Sequence, residues 1–270
     1  MSKLIKSNAL SGKTIVAFGD SLTNFCGNSY ASHIAEDLGV TVINAGVGGN
    51  NTYHARERFE SDVLAHKPDL VIIGFGGNDQ AVRRDDRKSI VPIDEYRANL
   101  YYFLQSIRDQ GGDVVFITVT PTMPERYTPW EYNIHYIYED GKVLDRYCNV
   151  VRDLAREFGC GLVDIHREYD LIKLDDYMLG DGMHPSDLGR RFIADLVGEY
   201  LLAKYDGVNC AEIIVNCVDE RGKVLQSDKL VGAIGANIAV TSPEIEGRTA
   251  LCEVTNATFG EQKTVAVLYK

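Results

Sequence analysis

The sequence predicts an α/β protein, a parallel sheet sandwiched by helices, followed by a small β-rich module. Three observations carry this. Through roughly the first two hundred residues, short and nearly continuous apolar runs alternate with longer segments of helical spacing. Glycines and polar residues gather where the apolar runs stop. Near Val208 the helical spacing fades and strand-like runs with glycine turns take over.

The strands come first. "TIVAFG" (14–19), "TVINAGV" (41–47), "DLVIIGFGG" (69–77), "DVVFITVT" (113–120) and "GLVDI" (161–165) are apolar on both alternating faces. That suits strands buried from both sides, as in a parallel sheet. The helices lie between them. In "YRANLYYFLQSIRDQGG", Leu100, Phe103, Leu104 and Ile107 share one face, and Gly111-Gly112 ends the run. "DRYCNVVRDLAREFG" repeats the design, with Val150, Val151, Leu154 and Phe158 inward. "PSDLGRRFIADLVGEYLLAKYDG" closes the series. Strand–helix–strand repetition is the mark of a doubly wound sheet, whose ligands bind at the carboxyl ends of the strands. From Val208, "DERGK" reads as a hairpin turn and "KTVAVLYK" as a terminal strand. The expected division is 1–207 for the α/β domain and 208–270 for the β-rich module.

Composition narrows the function classes. Of 270 residues, 25% are charged and 45% apolar, an ordinary globular balance. A net charge of −11 argues against a nucleic-acid partner, which needs a basic surface. No apolar run is long enough to span a bilayer. The N-terminal apolar residues are interrupted by Lys6, Ser7, Asn8 and Ser11, too polar for a signal-peptide core. The expected location is therefore cytoplasmic as written, or extracellular if a signal has been removed. The six cysteines form no C-x-x-C pair, so zinc and thioredoxin-type readings are weak.

Several familiar motifs are absent. "GDSLT" is not G-x-S-x-G, "GVGGNN" fails G-x-G-x-x-G, and there is neither a P-loop nor H-E-x-x-H. What remains is a set of polar residues at strand ends. Ser21 follows the first strand, Gly48 and Gly49 the second, and Asn78 and Asp79 the third. "GDGMHPSD" (180–187) follows the fifth. A serine nucleophile needs a base, and the base needs a partner that fixes its tautomer. Asp181 and His184 are spaced for that contact. The amides of Ser21 and a glycine, with the Asn78 side chain, could serve a developing oxyanion. Ser21 could instead merely cap a helix. The other histidines, His33, His54, His66, His135 and His166, have no such setting and are expected on the surface or in loops.

Taken in order, "FGDSLT", "NAGVGGNNT", "GGND" and "DGMHP" resemble the four motif blocks of the SGNH (GDSL-type) serine hydrolases, over roughly residues 12 to 205. The resemblance implies a flavodoxin-like five-stranded parallel sheet sandwiched by helices. It implies a triad of Ser21, Asp181 and His184, an oxyanion hole of Ser21, Gly49 and Asn78, and no metal or organic cofactor. Gly48 stands where many relatives have serine, and register favours Gly49 as the donor. The tail, with "VDERGKVL", "GAIGANIAV" and "PEIEGRTALCEV", resembles a MucBP (mucin-binding-protein) repeat, with a β-grasp-like fold. Arg248 replaces its usual tyrosine.

The expected activity is hydrolysis of short acyl esters, chiefly acetyl, on a carbohydrate. Lysophospholipase or thioesterase activity is the alternative within the family. A glycan-binding or adhesion protein acting through 208–270 is the alternative outside it. The long segment 120–143 after the fourth strand offers Trp130, Tyr132, Tyr136 and Tyr138. Their rings could stack on a sugar, or simply pack on the protein.

Overall fold

A computed structural model describes the chain except for residues 1–5, 26, 124–125, 127–135, 138–141, 170–171, 173, 209, 235–236, 253 and 262. It describes only the backbone of 136–137, 210, 228–229, 231–233, 237–239, 241 and 254. The described elements are β1 (Ile15–Gly19), α1 (Ser21–Asn24), α2 (Tyr30–Leu38), β2 (Val42–Gly46), α3 (Thr52–Asp62), β3 (Leu70–Gly74), β4 (Val82–Arg83), α4 (Ile93–Asp109), β5 (Asp113–Ile117), β6 (Tyr136–Ile137), α5 (Lys142–Phe158), β7 (Gly161–Val163), α6 (Ile165–Tyr169), α7 (Leu174–Tyr177) and α8 (Asp187–Leu201). Five more strands follow: β8 (Cys210–Asp219), β9 (Val224–Ala233), β10 (Asn237–Thr241), β11 (Val254–Thr258) and β12 (Thr264–Tyr269).

Two compact units form. One takes in Gly12–Glu36 and Thr41–Leu196, and the other the N-terminal residues through Ser11, Asp37–Val40 and Val197–Lys270. In the first, five strands make a parallel sheet in the order β2-β1-β3-β5-β7. All five expected strands are present, in the flavodoxin-like order. The residues of β1 and β3 are buried throughout, as strands covered on both faces must be. On one face Val16, Phe18, Val71, Ile73, Val114 and Phe116 meet Phe59 of α3, Phe103 and Ile107 of α4, and Val151 and Leu154 of α5. Phe18 is the hub of this layer, with Phe75 at 5.0 Å and Phe103 at 5.4 Å, both edge to face. Val150 and Phe158 are only partly buried at the margin. Tyr30, Ile117, Ile165 and Ile193 line a small apolar cavity that α2 and α8 help to cover.

The carboxyl edge of the sheet is built from glycines. Gly19 pairs in register with both Gly46 and Gly74. A Cβ on Gly46 would lie 2.5 Å from the Asn24 amide nitrogen, and one on Gly19 would lie 2.2 Å from Thr23 Oγ1. Only bare backbone lets α1 sit so closely on the strand ends. The Asn44 side chain then donates to the Thr23 carbonyl at 2.7 Å and holds α1 down.

In the second unit β8, β9 and β12 form a sheet in the order β12-β8-β9, parallel on one side of β8 and antiparallel on the other. β10 and β11 pair as a separate antiparallel ribbon. The hairpin turn falls on Asp219–Lys223, where Asp219 Oδ1 accepts from the amides of Arg221 at 2.9 Å and Lys223 at 3.0 Å. β12 alternates exposed and buried residues, and Val265, Val267 and Tyr269 face a core with Ile213, Val215, Cys217 and Phe259. This is the small β-rich module the sequence suggested. Cys217 and Cys252 are thiols rather than disulfide partners.

Candidate functional site

Ser21 opens α1 immediately past the end of β1. Asp20 is the N-cap, and its Oδ1 accepts from the Leu22 amide at 2.9 Å. The cap reading considered for Ser21 therefore belongs to the residue before it. The Ser21 Oγ is 2.9 Å from His184 Nε2, and His184 Nδ1 is 2.7 Å from Asp181 Oδ2. With the carboxylate as acceptor, Nδ1 carries a hydrogen and Nε2 is left as an acceptor toward the serine hydroxyl.

The Asp181–His184 segment is a turn closed on its own backbone. Asp181 Oδ1 accepts from the amides of Met183 at 2.9 Å and His184 at 3.0 Å. Partial burial pushes the Asp181 carboxyl up, but the two amides and the imidazole outweigh it and hold the group below its ordinary range. Gly182 sits at φ +69°, and a Cβ there would lie 2.5 Å from the Met123 carbonyl oxygen. The Met123 amide donates to the Gly182 carbonyl at 2.8 Å, which pins this turn to the chain leaving β5. Phe25 stands edge-on to the imidazole at 5.9 Å, with the Arg190 guanidinium over its ring at 4.3 Å.

Asn78 lies past the end of β3. Its Nδ2 donates to the Asn50 carbonyl at 3.0 Å and to Asp20 Oδ2 at 3.3 Å. Gly49 lies on the loop after β2 at φ +76°. A Cβ on its neighbour Gly48 would lie 4.0 Å from Ser21 Cβ. Asp79 is fully buried, and its Oδ1 accepts from the Thr52 amide at 2.8 Å and hydroxyl at 2.5 Å. It thus fixes the start of α3 and the loop before it. Burial pushes Asp79 up to about 6 and Asp20 up to about 7, each opposed by hydrogen bonds from neighbouring groups.

Ser21, Asn78 and His184 line one pocket together with Leu22, Val119 and Thr120. A more open groove that also touches Ser21 and His184 is bordered by Asn24, Phe25 and Leu179. Trp130, Tyr132 and Tyr138 lie outside the described residues. The backbone of Tyr136 is described, in a two-residue antiparallel pair with Arg83, and its side chain is not.

Sequence reasoning missed Arg58. From α3 its guanidinium donates to the carbonyls of Gly19 at 2.9 Å and Ala45 at 2.8 Å, and to Asn50 Oδ1 at 2.8 Å. One side chain thereby ties together the ends of β1 and β2 and the following loop. Thr120 was also missed. It is buried, lines the pocket, and its Oγ1 has no hydrogen-bond partner among the described residues. Thr118, Thr120 and Thr122, where the apolar run of the fourth expected strand gives out, were the available signal. His166, expected on the surface or in a loop, is instead buried. Its Nδ1 faces the Val119 carbonyl at 3.2 Å and its Nε2 faces Asp145 at 2.8 Å.

Comparison with known proteins bears on this arrangement. The model of the GDSL-like lipase/acylhydrolase family matches residues 17–192, and that of the MucBP domain matches residues 212–270. The chain is 36% identical over 118 residues to the uncharacterized lipoprotein YqeF of Bacillus subtilis, spanning 40% of this chain and 48% of that one. It is 25% identical over 211 residues to an acetylxylan esterase of Geobacillus stearothermophilus, spanning 68% of this chain and 91% of the relative. A solved lipase/acylhydrolase of Enterococcus faecalis shares the fold, with a TM-score of 0.60 at 23% identity, spanning 71% of this chain and 96% of that one.

Proposed function

We propose, from the premise that the chain belongs to the GDSL-like lipase/acylhydrolase family, that it hydrolyses short acyl esters, chiefly acetyl esters of carbohydrates, with Ser21 as nucleophile. The observation that carries this reading is the unbroken hydrogen-bond line from Ser21 through His184 to Asp181, at 2.9 and 2.7 Å. Ser21 Oγ attacks the acyl carbon while its proton passes to His184 Nε2. The imidazolium that forms is stabilised by Asp181 through Nδ1–H. The tetrahedral oxyanion takes hydrogen bonds from the amides of Ser21 and Gly49 and from the Asn78 side chain. As the intermediate collapses, His184 returns the proton to the leaving alcohol, and an ester of Ser21 remains. Water then adds to that ester with His184 as base, releasing the acid and restoring the serine.

The two cavities divide the substrate. The pocket with Leu22, Val119 and Thr120 takes the acyl group, beside the oxyanion donor Asn78. The groove with Phe25 and Leu179 takes the alcohol, next to the imidazole that must protonate it. The carbohydrate reading draws support from the acetylxylan esterase relative. The MucBP match supports glycan contact through residues 208–270, and with the lipoprotein relative it favours action at the cell surface. Among the described residues no helix is long and apolar enough to cross a membrane. We keep 1–207 and 208–270 as the proposed division of labour. Tyr136, Trp130 and Tyr132 remain proposed sugar contacts.

The test is a series of p-nitrophenyl esters of increasing acyl length, run beside acetylated xylo-oligosaccharides with acetate release as readout. The expected result is a kcat/KM that is highest for acetyl and falls with each added carbon pair. A kcat/KM that rises toward long chains would replace this reading with the lysophospholipase or thioesterase one. No hydrolysis of any ester would end it.

A further inference from the structure

The mechanism leaves one buried group in the pocket without a part. Asp20 is 1% exposed and lines the same cavity as Ser21 and Asn78. Its Oδ1 is committed to the Leu22 amide. Its Oδ2 holds one hydrogen of the Asn78 amide at 3.3 Å, while the Asn50 carbonyl at 3.0 Å holds the other. An amide nitrogen has two hydrogens. Both are therefore engaged at rest, yet the oxyanion needs one of them.

We propose that Asp20 is a positioning residue that works as a neutral acid: protonated, it releases the Asn78 amide hydrogen to the oxyanion, and ionised, it retains that hydrogen. This rests on the roles proposed above for Ser21 and Asn78. A carboxylate accepts strongly through both oxygens, whereas a carboxylic acid presents a donor on one of them. Protonation on Oδ2 would set two donors face to face, so the Asn78 hydrogen turns to the acceptor that appears during the reaction. The proton comes from solvent and no covalent step is involved.

The surroundings favour the neutral form. Among the described residues, the titratable groups that couple electrostatically to Asp20 include Asp79 from beyond β3, Tyr30 from α2 and Tyr96 from α4. Asp79 is itself fully buried, and its Oδ2 has no hydrogen-bond partner among the described residues. The nearby cation, Arg58 of α3, directs its guanidinium to the carbonyls of Gly19 and Ala45 and to Asp62. His184 shares the pocket and must be neutral to act as base. Two buried carboxyls side by side do not readily both ionise, and burial raises Asp20 most.

The experiment is the pH dependence of kcat and KM for p-nitrophenyl acetate in wild type, Asp20→Asn and Asn78→Ala, with folding checked by circular dichroism. The wild type is expected to lose kcat on the alkaline side, by about tenfold per pH unit beyond the ionisation of Asp20, with KM unchanged. In D20N the side chain stays neutral and keeps the Leu22 cap, so the alkaline limb disappears and the variant overtakes the wild type at high pH. In N78A the residual activity should also lack the limb. An alkaline limb kept in D20N overturns the inference, as does a kcat lost equally at every pH in a folded D20N. If D20N does not fold, a limb kept in N78A overturns it alone. A wild type that hydrolyses no ester would instead fail the proposed function itself, so the two failures are distinguishable.

Discussion

Replacing Asp181 with Asn tests the orientation of the base, and the hydrogen bonds around this carboxylate set the size of the effect. One oxygen accepts from the amides of Met183 and His184, and the other accepts from His184 Nδ1. An asparagine has only one acceptor oxygen. If that oxygen keeps the two amides, the NH2 group faces Nδ1. The imidazole must then put its hydrogen on Nε2, where it can no longer accept from Ser21. The flipped asparagine would keep the useful tautomer but leave two amide hydrogens facing a donor. At about 1 kcal/mol per hydrogen bond, the flip costs about 2 kcal/mol and leaves about one molecule in thirty competent. Those molecules also lose the charge that stabilises the imidazolium, a further factor of about 10 to 100 for a charge-assisted bond. Asp181→Asn should therefore lower kcat by about 10³-fold, in line with triad carboxylate losses elsewhere. KM should hold, because Asp181 touches His184 and backbone rather than substrate. Steady-state hydrolysis of p-nitrophenyl acetate by folded protein is the assay. A D181N enzyme keeping more than about a tenth of wild-type kcat would refute this reasoning.

Two further outcomes follow from the same geometry. Gly182→Ala forces a side chain into a left-handed φ of +69° and against the Met123 carbonyl. It should cost about 1–2 kcal/mol in a denaturant melt and depress kcat by displacing His184 two residues on; wild-type values for both would remove the turn from the account. The thermal stability of the wild type relative to D20N should also change with pH in a set direction. Burial raises Asp20 from 3.8 to about 7, so its protonated form favours the folded state, fully below the unfolded value and progressively less as pH rises through the folded one. Between pH 5 and 8 the wild type should lose on the order of 3 kcal/mol that D20N keeps, and a Tm difference between them that does not move with pH would contradict the buried, proton-holding carboxyl.

How much of this was legible in the sequence differs from element to element. The strands could be read because sheets buried on both faces demand unbroken apolar runs, and Ile15–Gly19 and Leu70–Gly74 are such runs. The inward face of α4 could be read for the same reason, since Leu100, Phe103, Leu104 and Ile107 recur at helical spacing. Asp181 and His184 were legible because their contact is local, three residues apart in one turn. Ser21 joins them across 163 residues, and only the position of each motif at a strand end brought it into view.

What stayed hidden depends on contacts that leave no local trace. Arg58 looks like any helix-surface arginine, yet it closes two strand ends because its guanidinium reaches their carbonyls. Nothing in the residues around Asp20 marks it as more than a strand-end polar residue. Its burial beside Asp79 is set by how α1 sits on the strand-end glycines, which spacing along the chain does not encode. His166 looked unremarkable because its two partners come from the end of β5 and from α5, each far away in sequence. The short β4–β6 pair was equally invisible, since two-residue strands carry no periodicity.

The central claim is that Ser21 is the activated nucleophile, and labelling with a fluorophosphonate, read out by peptide mass spectrometry, tests it most directly. The account predicts one label, on the peptide containing Ser21, with esterase activity lost in proportion and with Ser21→Ala both unlabelled and inactive. A label on another residue, or a Ser21→Ala protein that still hydrolyses p-nitrophenyl acetate at the wild-type rate, would contradict it.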